Sequence, residues 1–87
     1  MSNVVPTSDL LKIRQILAKV LFGSNSLDEN LLTRTNSEWD SLKHLQIVLE
    51  LEDCFDLEFL EGETEDFYDA ENILQTIIII RAKREMP

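Results

Sequence analysis

Three stretches of this sequence repeat their apolar residues with the period of an α-helix, and this pattern constrains the fold more than any other feature. The predicted helices cover residues 8–22, 40–55 and 70–84. Apolar residues three and four positions apart lie on one face of a helix, and that face has to be buried against another element. The expected inner faces of the first and last helices are Leu10, Ile13, Leu17, Val20 and Leu21, and Ala70, Ile73, Leu74, Ile77 and Ile80. The sequence therefore predicts an all-α fold.

The two segments between these helices differ in character. Residues 23–39 form a long polar loop whose apolar anchors are Leu27, Leu31, Leu32 and Trp39. Residues 56–69 are mostly acidic, and a short helix is expected at 63–67. The run Ile77–Ile80 would also suit a β-strand, but no second strand is predicted that could pair with it. We therefore expect a small four-helix bundle with three longer helices and one short one.

Size and charge limit the classes of function. The chain has 87 residues, which corresponds to a single domain, 1–87, and is too short to combine a core with a deep active site of several parts. The formal net charge is −9, and residues 44–80 carry eleven Asp and Glu but no Lys or Arg. This charge disfavours nucleic acid and anionic membranes and favours basic protein surfaces as partners. A solvated acidic face that keeps the chain soluble is the other interpretation.

The sequence lacks the residue combinations that usually perform catalysis or bind metals. His44 and Cys54 are the only residues of their kind, ten positions apart and out of line on one predicted helix, so a thiolate–imidazole pair is not supported. No zinc-ligand spacing or glycine-rich phosphate loop occurs, and we expect no catalytic or metal-ligating residue. The single cysteine, the lack of a leader-type N-terminus and the short apolar runs predict a cytoplasmic protein without membrane insertion. We expect a monomer that is not an enzyme.

The second predicted helix carries two apolar stripes rather than one. Asp40 is its expected N-cap. The first stripe, which suffices for packing in a small bundle and has His44 beside it, consists of Ile47, Val48, Leu51 and Phe55. The second stripe lies about 130° away on a helical wheel and consists of Leu42, Leu45 and Leu49. The acidic residues at its edges are Glu52, Asp53 and Asp56. An apolar strip with such a border is typical of a docking surface, with burial under the long loop as the alternative.

Ser41 occupies the first position of this helix. We expect it to be exposed, with the unpaired amide groups of the first turn beside it and the positive end of the helix dipole behind it. A phosphate ester on this hydroxyl would be stabilised by that field. On the tripeptide Asp40-Ser41-Leu42 alone, an ordinary polar residue in a first turn is the favoured interpretation, so a modification site has to be argued from the wider sequence.

That wider sequence resembles the acyl carrier protein family. Asp40-Ser41-Leu42 opens an amphipathic helix that runs on to Glu52-Asp53-Cys54-Phe55-Asp56 and then Leu57-Glu58-Phe59. This is similar to the Asp-Ser-Leu of the family, its acidic helix ending in Glu-Glu-x-Phe, and the acidic turn that follows. The resemblance covers about residues 8–81, including the long loop before the serine and two further helices after it. It implies the family's four-helix bundle.

The resemblance also implies a function. A phosphopantetheinyl transferase would attach 4′-phosphopantetheine from coenzyme A to Ser41, with Asp40 as the helix cap next to it. The terminal thiol would carry acyl groups as thioesters between enzymes of a fatty acid, polyketide or specialised lipid pathway. The acyl-loading and acyl-processing partners would have basic docking surfaces. The partner surface implied on the recognition helix is Leu42, Leu45, Leu49, Glu50, Glu52 and Asp53.

One departure from the family concerns the cargo. Carriers of housekeeping fatty acid synthesis usually have Gly-x-Asp-Ser-Leu, whereas this chain has Ser37-Glu38-Trp39-Asp40-Ser41. Trp-Asp-Ser is more similar to carriers of polyketide, nonribosomal peptide or specialised lipid pathways. An aminoacyl, peptidyl or D-alanyl carrier is the alternative within the fold. The alternative of another class is an acidic helical interaction module without a prosthetic group.

Overall fold

The described part of the chain contains three helices. The computed structural model describes residues 7–23, 31–60 and 62–85. Its helices are α1 (Thr7–Phe22), α2 (Ser41–Phe55) and α3 (Ala70–Glu85), and the residues described include no β-strand. The fold is therefore a small all-helical bundle, and each helix differs by one residue from the range expected from the sequence. None of these helices combines the length and the apolar content needed to cross a bilayer.

The core lies where α1 packs against both α2 and α3. All three helices contribute the side chains that the helical period selects, and the loops add Leu32, Trp39 and Phe67. The buried residues of the helices are Ile13, Ile16, Leu17, Ala18 and Leu21 in α1, Ile47, Leu51 and Phe55 in α2, and Ala70, Ile73, Leu74, Ile77 and Ile80 in α3. Leu10 and Val20, expected on the inner face of α1, are only partly buried at its edge.

The isoleucine run at the end of the chain is helical. Ile77 and Ile80 are buried, whereas Ile78 and Ile79 are exposed. Burial three residues apart is the pattern of a helix, because a strand would bury alternate residues. The rejection of a strand is therefore confirmed, and tertiary packing against α1 outweighs the β-propensity of isoleucine.

The loop before α2 is attached to the rest of the fold mainly through Arg34. Its backbone N–H donates to the Tyr68 carbonyl oxygen at 2.8 Å, and its guanidinium donates to the carbonyl oxygens of Glu65 and Phe67 at 2.8 and 3.0 Å. Leu32 is buried, but the adjacent Leu31 is exposed, so its prediction as an anchor is wrong. Of two adjacent leucines in this turn only one side chain points inward. Leu27, the remaining predicted anchor, lies outside the described residues.

Residues 62–66 form turns where a short helix was expected at 63–67. The Glu63 N–H donates to the Leu60 carbonyl oxygen at 3.0 Å, and the Phe67 N–H donates to that of Thr64 at 3.3 Å. Arg34 occupies the carbonyl groups of Glu65 and Phe67, and Phe67 is directed into the core with only 1% of its surface exposed. Tertiary hydrogen bonds therefore determine the course of this segment.

The end of α2 is closed by a left-handed residue. Asp56 has φ 54° and ψ 53°, and its backbone N–H donates to the Glu52 carbonyl oxygen. Arg81 of α3 donates to the Phe55 carbonyl oxygen at 3.0 Å, and its guanidinium lies 5.5 Å from the centre of the Phe55 ring. The carbonyl groups of Glu52 and Phe55 thus have partners, and the turn places a non-glycine residue in the left-handed region.

We expect Asp56→Gly to be more stable than Asp56→Ala by about 1 kcal/mol, because glycine adopts a positive φ without a steric penalty and alanine does not. Both variants remove the same carboxylate, so their difference isolates the backbone conformation. Urea unfolding followed by circular dichroism measures it. Equal free energies of unfolding for the two variants would contradict the left-handed cap.

Candidate functional site

The start of α2 has a complete cap. Asp40 has an extended backbone, and its carboxylate Oδ1 accepts a hydrogen bond from the Lys43 N–H at 2.9 Å. Its carbonyl oxygen accepts from the His44 N–H at 2.8 Å, which begins the helical hydrogen-bond pattern. Ser41 is the first helical residue and its side chain is exposed. The hydroxyl of Ser41 is therefore accessible at the positive end of the α2 dipole.

The residue before the cap is held in the core. Trp39 is 5% exposed, and its indole N–H donates to Nδ1 of His44 at 3.0 Å. Its backbone N–H donates to the Asn36 carbonyl oxygen at 3.0 Å, and the guanidinium of Arg34 lies 5.9 Å from its ring centre. Both sides of Ser41 are thus connected to well-packed parts of the fold.

His44 is a neutral residue in this arrangement. Its Nδ1 accepts the hydrogen bond from Trp39 and so carries no proton. Burial lowers the pKa of His44 below its ordinary value of 6.5, the positive charge of Arg34 lowers it further, and a hydrogen bond with the Thr64 backbone raises it to a smaller extent. The sequence indicated only that His44 lies beside the packed stripe. The hydrogen bond between His44 and Trp39 was not predicted from the sequence. The only sequence feature that points to it is the spacing of five residues between the single Trp and the single His.

The second apolar stripe of α2 faces solvent. Leu42 is 64% exposed, and Leu45 and Leu49 are each 55% exposed, while Ile47 and Leu51 on the packed face are fully buried. Burial of the stripe under the long loop, the alternative left by the sequence, is therefore wrong for these three leucines. Their exposure forms a narrow apolar strip that begins directly after Ser41.

The acidic residues expected beside this strip have different environments. Glu50 forms an ion pair with Lys19 of α1, with 3.0 Å between Oε1 and Nζ. The Glu52 carboxylate accepts the Phe59 N–H at 2.9 Å and so holds the turn after α2. Asp53 is exposed and has no ion-pair partner within the part of the chain that the structure describes. Of the three, Asp53 is the carboxylate free to meet a partner.

A second charged pair lies beside the serine. Glu38 is 3.7 Å from Lys43 between Oε1 and Nζ, and its backbone N–H donates to the side chain of Asn36 at 2.9 Å. Glu38 occupies the position where the related motif has glycine. Its backbone is thus supported by a local hydrogen bond, and its charge is balanced by a lysine on the first turn of α2.

The remaining reactive side chains do not form a catalytic group. Cys54 is exposed on α2, and ten residues of helix separate it from His44 by about 15 Å. Within the described ranges no group of three or more His, Cys, Asp or Glu side chains is arranged to hold a metal ion. The accessible nucleophile at the start of α2 is the Ser41 hydroxyl.

Comparison with protein-family models, curated proteins and solved structures finds no match to this chain. The start of α2 and its leucine strip are therefore the features of this chain that bear on its function.

We expect Asp40→Ala to lower the free energy of unfolding by about 1 kcal/mol, because the Lys43 N–H loses its acceptor. Asp40→Asn keeps an oxygen at the same place and serves as the matched control, with nearly unchanged stability. Urea unfolding measures both. If the two variants were equally destabilised, the negative charge of Asp40 rather than its cap would be the stabilising feature.

Proposed function

We propose that this chain is a carrier protein of the acyl carrier protein type, in which the Ser41 hydroxyl receives 4′-phosphopantetheine from coenzyme A. The observation that supports this most is the exposed serine at the first position of a capped helix, followed on the same helix by an exposed leucine strip. Exposed apolar side chains that line up on one helix face are typical of interaction sites, and recognition by partner enzymes would explain this strip.

The residues around Ser41 fit a phosphate ester. The side chain points to solvent at the start of a helix of 15 residues, so a long arm meets no obstacle there and its phosphate lies near the positive helix end. The Asp40 carboxylate is engaged with the Lys43 amide, and Lys43 brings a cation to the same turn. When bound, the prosthetic group supplies a terminal thiol that carries acyl groups as thioesters.

In the attachment reaction this chain contributes the nucleophile. The Ser41 oxygen forms a bond to the phosphorus that carries the pantetheine, and the bond from that phosphorus to the bridging oxygen of the pyrophosphate breaks. Adenosine 3′,5′-bisphosphate leaves, and the proton of the serine hydroxyl passes to a base of the phosphopantetheinyl transferase. In this proposal the transferase supplies the catalytic groups, and the carrier chain supplies only the serine hydroxyl.

The leucine strip suits contacts that have to be released after each step. Leu42, Leu45 and Leu49 form a small apolar area, and the free carboxylate of Asp53 lies on the same helix. Charge increases the rate of encounter with a basic partner more than it increases affinity, and salt weakens this effect. Acyl-loading and acyl-processing enzymes with basic docking surfaces are the partners we propose.

The chain departs from the family at two places that concern the cargo. Turns occupy the position of the family's short helix, and Glu38 replaces the glycine before the serine. Ile73 and Phe67 are fully buried in the core, so an acyl chain inserted between the helices would have to displace them. An aminoacyl, peptidyl or D-alanyl cargo, carried outside the bundle, is the second candidate that this packing favours.

Incubation with coenzyme A and a broad-specificity phosphopantetheinyl transferase tests the attachment. We expect intact mass to increase by one phosphopantetheinyl group in the wild type and not in Ser41→Ala. Ser37→Ala is the matched control, because Ser37 is also exposed but lies in the loop before the helix, and it should be modified normally. No increase in the wild type, or an increase in Ser41→Ala, would favour the acidic interaction module.

The docking role of the strip predicts that Leu45→Ala lowers kcat/KM of the transferase about fivefold, because burial of the exposed half of a leucine contributes about 1 kcal/mol. Ile79→Ala removes an equally exposed apolar side chain from α3 and should leave the rate unchanged. Both variants should keep the helical circular dichroism signal, and kcat/KM should fall as salt increases.

Equal effects of Leu45→Ala and Ile79→Ala would contradict docking through the strip. A rate that does not depend on salt would contradict electrostatic steering of the encounter.

A further inference from the structure

A partly buried hydrogen bond joins the residues on either side of the serine. Trp39 lies two residues before Ser41 and His44 three residues after it, and the indole N–H of Trp39 donates to Nδ1 of His44 at 3.0 Å. The Trp39 side chain is 5% exposed, so its N–H has limited access to water as an alternative acceptor. Among the residues described, no buried side-chain nitrogen or oxygen lacks a partner. The backbone that carries Ser41 is therefore held at both ends by one side-chain bond.

This bond is connected to a third segment of the fold. The His44 ring lies 6.1 Å from the Phe67 ring between centroids and 6.1 Å from the indole of Trp39. Arg34 lies over the indole and also donates to the carbonyl oxygens of Glu65 and Phe67. The position of Trp39 thus depends on the loop, on the first turn of α2 and on residues 62–69.

We propose that Trp39 and His44 are positioning residues for Ser41, and that their hydrogen bond is a clasp that opens when His44 takes up a proton. This inference rests on the proposed function of Ser41, since the clasp would control how the hydroxyl is presented to the transferase and, after modification, how the prosthetic group is presented to other partners. Neither residue contacts a reacting atom; both act through the backbone of Ser41.

The chemistry of imidazole makes the clasp sensitive to pH. In the neutral ring Nδ1 accepts from Trp39, while Nε2 carries the proton. A second proton can be added only to Nδ1, which then becomes a donor and faces the indole N–H instead of accepting from it. The buried N–H of Trp39 loses its acceptor, and a positive ring is formed near Arg34. Both changes favour opening of the clasp.

The charges around His44 favour the neutral ring. Arg34 in the loop contributes the positive charge that, after burial, lowers the pKa of His44, and the 62–69 segment presents the Thr64 backbone to the ring. The acidic residues of that segment are otherwise engaged or solvated, since Glu63 pairs with Arg84, Asp69 accepts from the Asn72 N–H, and both Glu65 and Asp66 are exposed.

The two helices present no counter-charge that would hold a protonated ring. On α2, Lys43 pairs with Glu38, and the capping carboxylate of Asp40 accepts from the Lys43 amide. On α1, Arg14 contacts Glu71 and Lys19 contacts Glu50.

The sign of the pH effect follows from this environment. The pKa of His44 is lower in the closed clasp than its ordinary value of 6.5, so the closed form binds protons more weakly than the open form. The clasp is therefore fully closed above that value and opens progressively as the pH falls through and below it. Modification of Ser41 should slow over the same range.

Three proteins test the proposal: the wild type, His44→Asn and Trp39→Phe. Asparagine places an amide oxygen near the position of Nδ1 and does not titrate, so it keeps the acceptor and removes the proton switch. Phenylalanine keeps an aromatic ring in the core and removes the donor. The kcat/KM of the transferase is measured between about pH 5 and 8. Ratios between variants at each pH cancel the pH dependence of the transferase itself.

We expect the wild type and His44→Asn to agree within about twofold near pH 8, whereas at the acidic end of the range the wild type should be slower than His44→Asn by about fivefold to tenfold. Trp39→Phe should be slow throughout, so its deficit relative to the wild type should be largest at high pH. A ratio of wild type to His44→Asn that does not change with pH would overturn the proposal.

Nuclear magnetic resonance gives a readout that does not depend on modification or on the variants folding. The chain has one Trp and one His, so the indole N–H and imidazole signals are unambiguous. In the wild type the indole N–H signal and the Ser41 amide signal should titrate together with His44. An indole or Ser41 signal that ignores the His44 titration would overturn the clasp. Co-titration without any mass increase in the transferase assay would refute the carrier function alone.

Discussion

The packing of α1 against both other helices is the constraint on which the rest of this structure depends. Ile13 and Leu17 of α1 are completely buried at the centre of the core. Among the helices described, α2 buries the face that carries Ile47 and Leu51, and its opposite face is left uncovered. Its other apolar residues, Leu42, Leu45 and Leu49, therefore stay in solvent. The surface proposed for docking is the face of α2 that no described helix covers.

A second dependence runs through Arg34. In the described part of the long loop, Leu32 and Trp39 are buried, and polar contacts of Arg34 help to fix its course. Arg34 bridges this loop to the 62–69 segment through three carbonyl oxygens and lies over Trp39. In a chain of net charge −9, this cation is used to order backbone rather than to neutralise a carboxylate. The contacts of Arg34 therefore help to position Trp39, which lies two residues before Ser41.

The helices could be predicted closely because their period is a local property of the sequence. The turns at 62–66 could not be predicted in this way, because whether the carbonyl groups of this segment bond within it or to Arg34 depends on a residue about thirty positions away. Leu31 and Leu32 likewise have the same chemistry, and only the direction of the turn determines which is buried. The local sequence pattern thus predicts the helices, whereas tertiary contacts determine the course of the loops between them.

The same division applies to the candidate site. Asp40, the exposed Ser41 and the second leucine stripe could all be read from the order of residues, because caps, first turns and helical faces are defined by spacing along one helix. The partners of Glu50 and Glu52 and the bond between Trp39 and His44 could not. Each of these depends on where a second backbone segment passes, and burial of the core determines that path. The residues of the proposed site are thus properties of the chain, whereas its charge state and rigidity are properties of the fold.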